Sequence, residues 1–167
     1  MLKHRTAVFL NGPIGVGKTT LGRGLAERLA GGFVDGDDYA DHTKPWYCSI
    51  KTASQAIVRS GLAILESRSL VVIAQPLSGS TWIYHRRKFT GADVRPVFVT
   101  LRASYKNITK SSRGRTFTPQ EHDRIQTMIA EGYDSRPFSD LMFDTDKSNF
   151  VDTLTGLTEA VRTLIAT

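Results

Sequence analysis

The residues best suited to chemistry lie in the segment 12–20, near the start of the chain. Its residues Gly12, Gly15, Val16, Gly17, Lys18, Thr19 and Thr20 include the spacing G-x4-G-K-[ST] of a phosphate-binding loop. The glycines let the backbone curve tightly and aim its N–H groups at phosphates. Lys18 can reach the β- and γ-phosphates, and the Thr19 hydroxyl can bind Mg²⁺. The segment predicts binding of ATP with Mg²⁺.

A second group of candidate residues is the acidic turn Asp35, Asp37 and Asp38, which follows the apolar pair Phe33-Val34. Carboxylates at the end of a strand beside a phosphate loop can hold the water shell of Mg²⁺ or accept a proton from a substrate hydroxyl. We therefore predict a metal or acceptor role for this turn. A solvated acidic turn is the alternative.

Basic residues are concentrated in one part of the chain. The formal net charge is +6, but residues 81–117 hold nine Lys or Arg and one Asp, a local excess of +8. The rest therefore sums to −2. His85, Arg86, Arg87 and Lys88 form a cluster on a polar helix, which is either a solvated face or a contact for an anionic acceptor, with Arg86 as the candidate. A nucleic-acid surface would carry more extensive basic charge, so we do not expect a nucleic-acid partner.

The segment Ser111–Phe117 is predicted to be a loop and, with Thr118, a lid over the site. Arg113 and Arg115 flank Gly114 in it. Arginines that arrive only when a lid closes stabilise the charge of a transferring γ-phosphate selectively. Thr118, Pro119 and Glu121 then form the capping box of a further helix.

Strands and helices alternate along the sequence. Apolar runs predict strands at 6–10, 33–34, 70–74, 94–101 and 141–143; helical patterns cover 18–30, 52–67, 79–89, 103–110, 118–131 and 150–165. This order predicts a three-layer α/β/α sandwich with a five-stranded parallel sheet. We expect one domain, residues 1–167, because nothing in the sequence resembles a linker.

Composition excludes several classes of protein. The single cysteine, Cys48, excludes an internal disulfide and a multi-cysteine zinc site. No run approaches the roughly 18 apolar residues of a membrane span, and the first apolar run is too short for a secretion signal. We therefore expect a cytoplasmic protein without a membrane partner, either a monomer or a homodimer.

Together, the phosphate loop and the acidic turn resemble the small P-loop kinases of the shikimate kinase and gluconate kinase group. Three further segments extend the likeness, namely Val71–Leu77, Arg113–Arg115 and the stretch from Arg136 to Asp146. The resemblance implies a P-loop NTPase fold of the nucleoside monophosphate kinase-like kind. It also implies transfer of the γ-phosphate of ATP to a hydroxyl group of a small molecule.

The resemblance also implies roles for individual residues. Asp35 would organise Mg²⁺ through water, and Asp37 would bind and deprotonate the acceptor hydroxyl, with Asp38 as its alternative. Arg115, with Arg113, would fold over the γ-phosphate. Arg136 would contact the substrate or the phosphate, and the segment Asp144–Asn149, including Asp146, would border the adenine.

Departures from the family pattern argue against shikimate as the acceptor. The glycine turn after the third strand is replaced by Gln75-Pro-Leu-Ser-Gly79, and Lys51 is the basic residue nearest to the place of the arginine that grips the shikimate carboxylate. Gln75 also stands where a Walker B acid would be, which shifts the metal-organising role to the acidic turn.

Two alternative functions remain open. A nucleoside or nucleotide kinase would suit the aromatic pairs Trp46-Tyr47 and Trp82/Tyr84, either of which could line an acceptor pocket. The other alternative is an ATP-binding module without transfer activity, or a polynucleotide-end kinase or adaptor that uses the basic stretch 81–117.

Overall fold

The computed structural model describes residues 4–167, apart from the side chain of Trp46. Its five strands are β1 (Arg5–Asn11), β2 (Gly32–Asp35), β3 (Leu70–Ala74), β4 (Val94–Arg102) and β5 (Leu141–Asp144). They form one parallel sheet in the order β2-β3-β1-β4-β5. The predicted five-stranded parallel sheet is confirmed.

Six α-helices connect or follow these strands. They are α1 (Lys18–Arg28), α2 (Trp46–Ile64), α3 (Gly79–Gly91), α4 (Tyr105–Ile108), α5 (Pro119–Ala130) and α6 (Phe150–Ala166). α2 begins six residues earlier than the apolar periodicity predicts, with Pro45 at the N-cap and with Tyr47 and Cys48 of its first turn exposed. The predicted capping box of α5 is confirmed, since Thr118 Oγ1 accepts from the Glu121 N–H at 3.2 Å and Glu121 Oε2 accepts from the Thr118 N–H at 2.8 Å.

The strands are apolar on both faces because helices cover both faces of the sheet. Along β1, Val8 and Leu10 pack with residues of α1 and α6, whereas Phe9 packs on the other face with residues of α2 and α3. β3 is buried along its whole length. Burying one such large apolar side chain contributes about 1.5–3 kcal/mol to folding. The three-layer α/β/α arrangement follows from this two-sided burial.

Parallel pairing brings the carboxyl ends of three strands to one edge of the sheet. In register, Leu10 of β1 and Asp35 of β2 both lie beside Ala74 of β3. The phosphate loop therefore begins next to the acidic turn and next to Gln75. This edge is where ligands bind in open α/β sheets.

Asn11, at the end of β1, links the loops that leave this edge. Its Nδ2 donates to Thr100 Oγ1 and to the Tyr133 carbonyl, both at 3.1 Å, and its Oδ1 accepts from the Leu77 N–H at 2.7 Å. The side chain is fully buried, so these bonds satisfy its polar groups and hold the loops at Leu77 and Tyr133 beside β4. Among residues 4–167, no helix is both long and apolar enough to cross a membrane.

Candidate active site

The phosphate loop adopts a conformation that depends on its glycines. Gly15 and Gly17 have positive φ values of 79° and 107°, in the left-handed region that favours glycine. A Cβ on Gly15 would also lie 2.7 Å from the Phe117 ring. Gly17 is the N-cap of α1, and no side chain caps this helix. Its first N–H groups are therefore available to an anion, as phosphate binding at a helix N-terminus requires.

Lys18 folds back over the loop that precedes it. Its Nζ donates to the carbonyls of Gly12 at 2.9 Å and Pro13 at 2.8 Å. Burial lowers the pKa of Lys18 to about 8; the nearby Asp37 carboxylate raises this pKa and the Arg115 guanidinium lowers it. Lys18 thus lies near both the acidic turn and the lid, and the negative phosphates of a nucleotide would raise its pKa again by favouring the charged form.

Thr19 and Asp35, the two residues predicted to organise Mg²⁺, are hydrogen-bonded to each other. Thr19 Oγ1 donates to Asp35 Oδ2 at 3.0 Å, while Asp35 Oδ1 accepts from the Asp37 N–H at 3.1 Å. Mg²⁺ prefers a few hard oxygen ligands together with phosphates and waters, so a hydroxyl beside a carboxylate fits this ion. Across residues 4–167 no group of three His, Cys, Asp or Glu side chains could enclose a metal. Thr19 and Asp35 would therefore hold Mg²⁺ together with the nucleotide.

The structure separates the two remaining aspartates of the acidic turn. Asp37 lines the main cavity with His42 and Pro76, and it is close enough to Lys18 to raise its pKa. Asp37 and Asp38 are both exposed, but Asp38 is not part of the cavity lining. An acceptor hydroxyl held in the cavity would therefore meet Asp37 rather than Asp38.

The main cavity has a volume of about 920 Å³, within the range of nucleotide and cofactor sites. The phosphate loop and α1 line it together with residues of α4, the lid and α5. Sequence reasoning missed several lining residues, which are His42, Asn107, Lys110 and Phe117. Their spacing carries no signal, because the tertiary fold alone brings them to the loop.

The two lid arginines occupy different places. Arg113 Nη1 donates to the Gly15 carbonyl at 3.2 Å, and its Nη2 donates to the Thr145 carbonyl at 3.5 Å. Arg115 donates to Glu121 Oε1 at 3.1 Å and lies 4.7 Å above the Phe117 ring. Both line the cavity, and Arg115 is the one whose charge acts on Lys18.

The segment after β5 also lines the cavity. Asp146, Ser148 and Asn149 belong to this lining, together with Phe150, which is half exposed. Asp146 Oδ2 accepts from the Ser104 N–H at 2.9 Å, which ties the segment to the end of β4. An aromatic ring and polar side chains in this segment can accommodate a nucleotide base.

Three predicted substrate-binding residues lie outside the cavity lining. Arg136 donates from Nε to the Leu77 carbonyl at 3.0 Å and stacks 4.0 Å from the centre of the Tyr133 ring. Arg86 lies 5.6 Å from the Trp82 ring beside a separate cavity of about 400 Å³. Lys51 is exposed on α2. The structure does not bring these three side chains to Lys18.

The aromatic pairs are also dispersed. Trp82 stacks on Phe138 with ring centres 5.0 Å apart and lines the smaller cavity. Tyr84 packs partly buried on that same face of the sheet, and Tyr47 is 63% exposed. The side chain of Trp46 lies outside the described part of the chain. None of Tyr47, Trp82 and Tyr84 lines the main cavity.

His85 does not belong to the solvated face of α3. Its side chain is fully buried, and Nε2 is 2.8 Å from Gln75 Oε1. Its neighbours Arg86, Arg87 and Lys88 remain exposed. The cluster therefore separates into three surface cations and one core histidine, because a helix turns consecutive residues to different sides.

Known proteins resemble the chain over short stretches of sequence. The shikimate kinase of Psychrobacter cryohalolentis is 51% identical over 41 residues, which cover 25% of this chain and 22% of that protein. The shikimate kinase of a Synechococcus strain is 41% identical over 69 residues, 41% of this chain and 34% of that protein. The chain thus matches about a fifth to a third of the length of these relatives. No known family profile matches it.

The fold of this chain is similar to those of several solved structures over nearly its whole length. A gluconokinase from Sinorhizobium meliloti covers 96% of this chain and 97% of its own, with 20% identity and a TM-score of 0.70. The shikimate kinase of Acinetobacter baumannii in complex with shikimate covers 98% and 94%, with 20% identity and a TM-score of 0.62. The adenylylsulfate (APS) kinase of Mycobacterium tuberculosis in complex with AMPPNP and APS covers 98% and 99%, with 17% identity and a TM-score of 0.61.

These likenesses confirm the resemblance predicted from the motifs. The sequence is similar to shikimate kinases in part, and the fold is shared with gluconate, shikimate and APS kinases along nearly the whole chain. The chain has the nucleoside monophosphate kinase-like α/β fold and resembles the small-molecule P-loop kinases.

Proposed function

We propose that this protein is an ATP-dependent kinase that transfers the γ-phosphate to a hydroxyl group of a small molecule. The observation that carries the proposal is a cavity lined by Lys18, Thr19, Asp37, Arg113 and Arg115, with Asp35 bonded to Thr19 beside it. Each group has a place in phosphoryl transfer, in which positioning and charge neutralisation matter most.

The phosphate loop would bind the triphosphate. The free N–H groups at the start of α1 point into the loop, and Lys18 would exchange its two carbonyl partners for phosphate oxygens. Mg²⁺, held by Thr19 and Asp35, would neutralise phosphate charge. Arg115 would add a positive charge beside Lys18, on the side where charge develops during transfer.

Asp37 would accept the proton of the acceptor hydroxyl. It lines the cavity near Lys18, and its backbone N–H is held by the Asp35 carboxylate. The hydroxyl oxygen then attacks the γ-phosphorus as the bond to the β,γ-bridging oxygen breaks, leaving ADP and a phosphate ester. Residues 111–118 would act as the lid that excludes water, the competing acceptor.

The acceptor is proposed to differ from shikimate. Lys51, the basic residue nearest to the place of the arginine that grips the shikimate carboxylate, does not line the cavity, and neither does Arg136. Arg136 is bonded instead to the carbonyls of Leu77 and Glu131. These two positions therefore supply no cation for a shikimate carboxylate, and this favours another hydroxyl compound as the acceptor.

A screen for acceptor-dependent ADP release tests the proposal. The panel should include sugars, sugar acids, nucleosides, nucleotides, shikimate, adenylylsulfate and hydroxylated antibiotics, each assayed with Mg²⁺ and ATP. We expect ADP release to require a hydroxyl compound other than shikimate. ADP release at the same rate without any acceptor would instead indicate an ATPase, and no release with any compound would count against a kinase.

A further inference from the structure

Gln75 lies at the end of β3, between the phosphate loop and the acidic turn. Its backbone N–H donates to the Leu10 carbonyl at 3.1 Å, immediately before the loop. On the other side, a Cβ added to Gly36 would lie 3.2 Å from the Cβ of Gln75. The residue is 8% exposed. Its neighbour Pro76 lines the main cavity, whereas Gln75 itself is not part of the lining, and the proposed function does not use it.

The side-chain oxygen of Gln75 is held by a buried histidine. Gln75 Oε1 lies 2.8 Å from His85 Nε2, and His85 packs against the rings of Phe9 and Phe89. Burial lowers the pKa of His85 to about 4, so the ring is neutral near pH 7. A neutral imidazole has one N–H, and an amide oxygen can only accept. The proton is therefore on Nε2.

The second ring nitrogen agrees with this assignment. His85 Nδ1 is buried without a hydrogen-bond partner. With the proton on Nε2, the buried Nδ1 lacks only a donor for its lone pair. With the proton on Nδ1, a buried N–H donor would have no acceptor, so the first tautomer is favoured. The Nε2–H···Oε1 bond therefore fixes the orientation of the Gln75 amide.

With its oxygen engaged, Gln75 presents two N–H donors elsewhere. The Gln75 Nε2 atom makes no hydrogen bond to any residue from 4 to 167. This atom is not fully buried, so a ligand can reach it. A carboxylate at this strand end would accept from metal-bound water. A neutral amide donor can instead bind an anionic oxygen.

We propose that Gln75 donates a hydrogen bond to an oxygen of the γ-phosphoryl group, and that His85 is the positioning residue that aims its amide. This inference rests on the proposed function, since it requires a nucleoside triphosphate in the phosphate loop. Lys18 and Arg115 would bring positive charge to the γ-phosphoryl group. Gln75 would orient this group through a hydrogen bond from a neutral amide, without adding charge.

The test measures how much the γ-phosphate adds to binding. The intact protein is titrated with Mg–ADP and with Mg–AMPPNP, and the ratio of the two dissociation constants is compared among variants. A hydrogen bond to a charged group is worth about 1.5–3 kcal/mol, so Gln75→Ala should reduce this ratio about tenfold or more. The exposed Gln55→Ala on α2 is the matched control and should leave the ratio unchanged.

Histidine variants separate positioning from general stability. His85→Phe keeps a ring among Phe9 and Phe89 but removes the donor, so the ratio should fall. In the Gln75→Ala background the same change should have no further effect. His85→Gln, which retains a side-chain N–H, should restore part of the ratio. If His85→Phe fails to fold, as judged by circular dichroism, His85→Asn takes its place.

Several outcomes would overturn the inference. A folded Gln75→Ala protein with the wild-type ratio removes the role of Gln75. An equal effect of His85→Phe with and without Gln75 removes the role of His85. Failure of the wild-type protein to bind either nucleotide would overturn the proposed function itself, and is distinguishable because both dissociation constants would then be lost.

Discussion

The Thr19 hydroxyl donates to Asp35 Oδ2 at 3.0 Å, across the 16 residues that separate them in sequence. This bond joins the first turn of α1 to the end of β2. It exists because β3 aligns the ends of β1 and β2 at the same edge of the sheet. The contact brings together, beside the phosphate loop, the two oxygen-bearing side chains that we propose for Mg²⁺.

Disrupting this pair should raise the Mg²⁺ requirement. We expect Asp35→Asn and Thr19→Ala each to increase the Mg²⁺ concentration for half-maximal ATP turnover by about tenfold. Asp35→Asn removes the negative charge of the carboxylate, and Thr19→Ala removes the hydroxyl oxygen. Thr19→Ser keeps the hydroxyl and is the control. Turnover measured against Mg²⁺ at saturating ATP checks this, and an unchanged Mg²⁺ dependence in both variants would contradict it.

Replacing Lys18 should remove ATP turnover while the fold remains. Lys18 is the cation closest to the phosphates in the proposed complex, and losing such a preorganised charge costs about 10²-fold or more in rate. Lys18→Ala should retain the wild-type circular dichroism spectrum. Lys106→Ala, at an exposed lysine outside the cavity lining, is the matched control. Phosphoryl transfer retained by Lys18→Ala would refute the proposed mechanism.

Asp37 and Asp38 should behave differently although they are adjacent. Asp37→Asn should lower kcat for transfer by about 10²-fold with little change in the Kd for ATP, because it removes a proton acceptor. Asp38→Asn should have little effect, since Asp38 is exposed and does not line the cavity. Equal losses of transfer and of ATP binding in Asp37→Asn would identify Asp37 as a metal residue instead.

Substitutions of the two lid arginines should also have different effects on turnover and on ATP binding. Arg115→Ala should lower kcat more than it weakens ATP binding, because Arg115 acts on the charge at Lys18. Arg113→Ala should mainly weaken nucleotide binding, because it removes the bonds to the Gly15 and Thr145 carbonyls. Measuring kcat and the Kd for ATP in both variants checks this. The same pattern in both would mean that the two arginines act as one unit.

Lys18 should give the nucleotide-free protein a specific pH dependence. Its folded pKa is about 8, below the ordinary value of 10.5. Below pH 8 Lys18 is charged in both the folded and the unfolded chain, so its burial penalty is constant. Between about pH 8 and 10.5 only the unfolded chain keeps the proton, so the Lys18 contribution to the free energy of unfolding rises with pH.

Denaturation of the wild type and of Lys18→Met as a function of pH tests this linkage. Lys18→Met should be the more stable protein at pH 7, and its advantage should shrink as the pH rises from about 8 to 10.5. A constant difference over that window would show that the pKa of Lys18 is not lowered in the folded chain.

Features that depend on neighbouring residues could be predicted from the amino-acid sequence. The spacing of Gly12, Gly17 and Lys18 predicted the phosphate loop, and Thr118 with Glu121 predicted the start of α5. Alternating apolar and helical segments predicted the five-stranded sheet, since burial on both faces leaves an unbroken apolar run. The early start of α2 could not be predicted in this way, because its first turn is exposed and has no apolar periodicity.

Which of the candidate residues meet depends on the tertiary structure. The fold places Asp37 in the cavity and Asp38 outside it, and it joins Arg136 to Leu77 rather than to Lys18. It also turns His85 away from its basic neighbours and onto Gln75. Such contacts join residues 10 to 59 positions apart. They depend on strand order and helix rotation, which neighbouring residues do not encode.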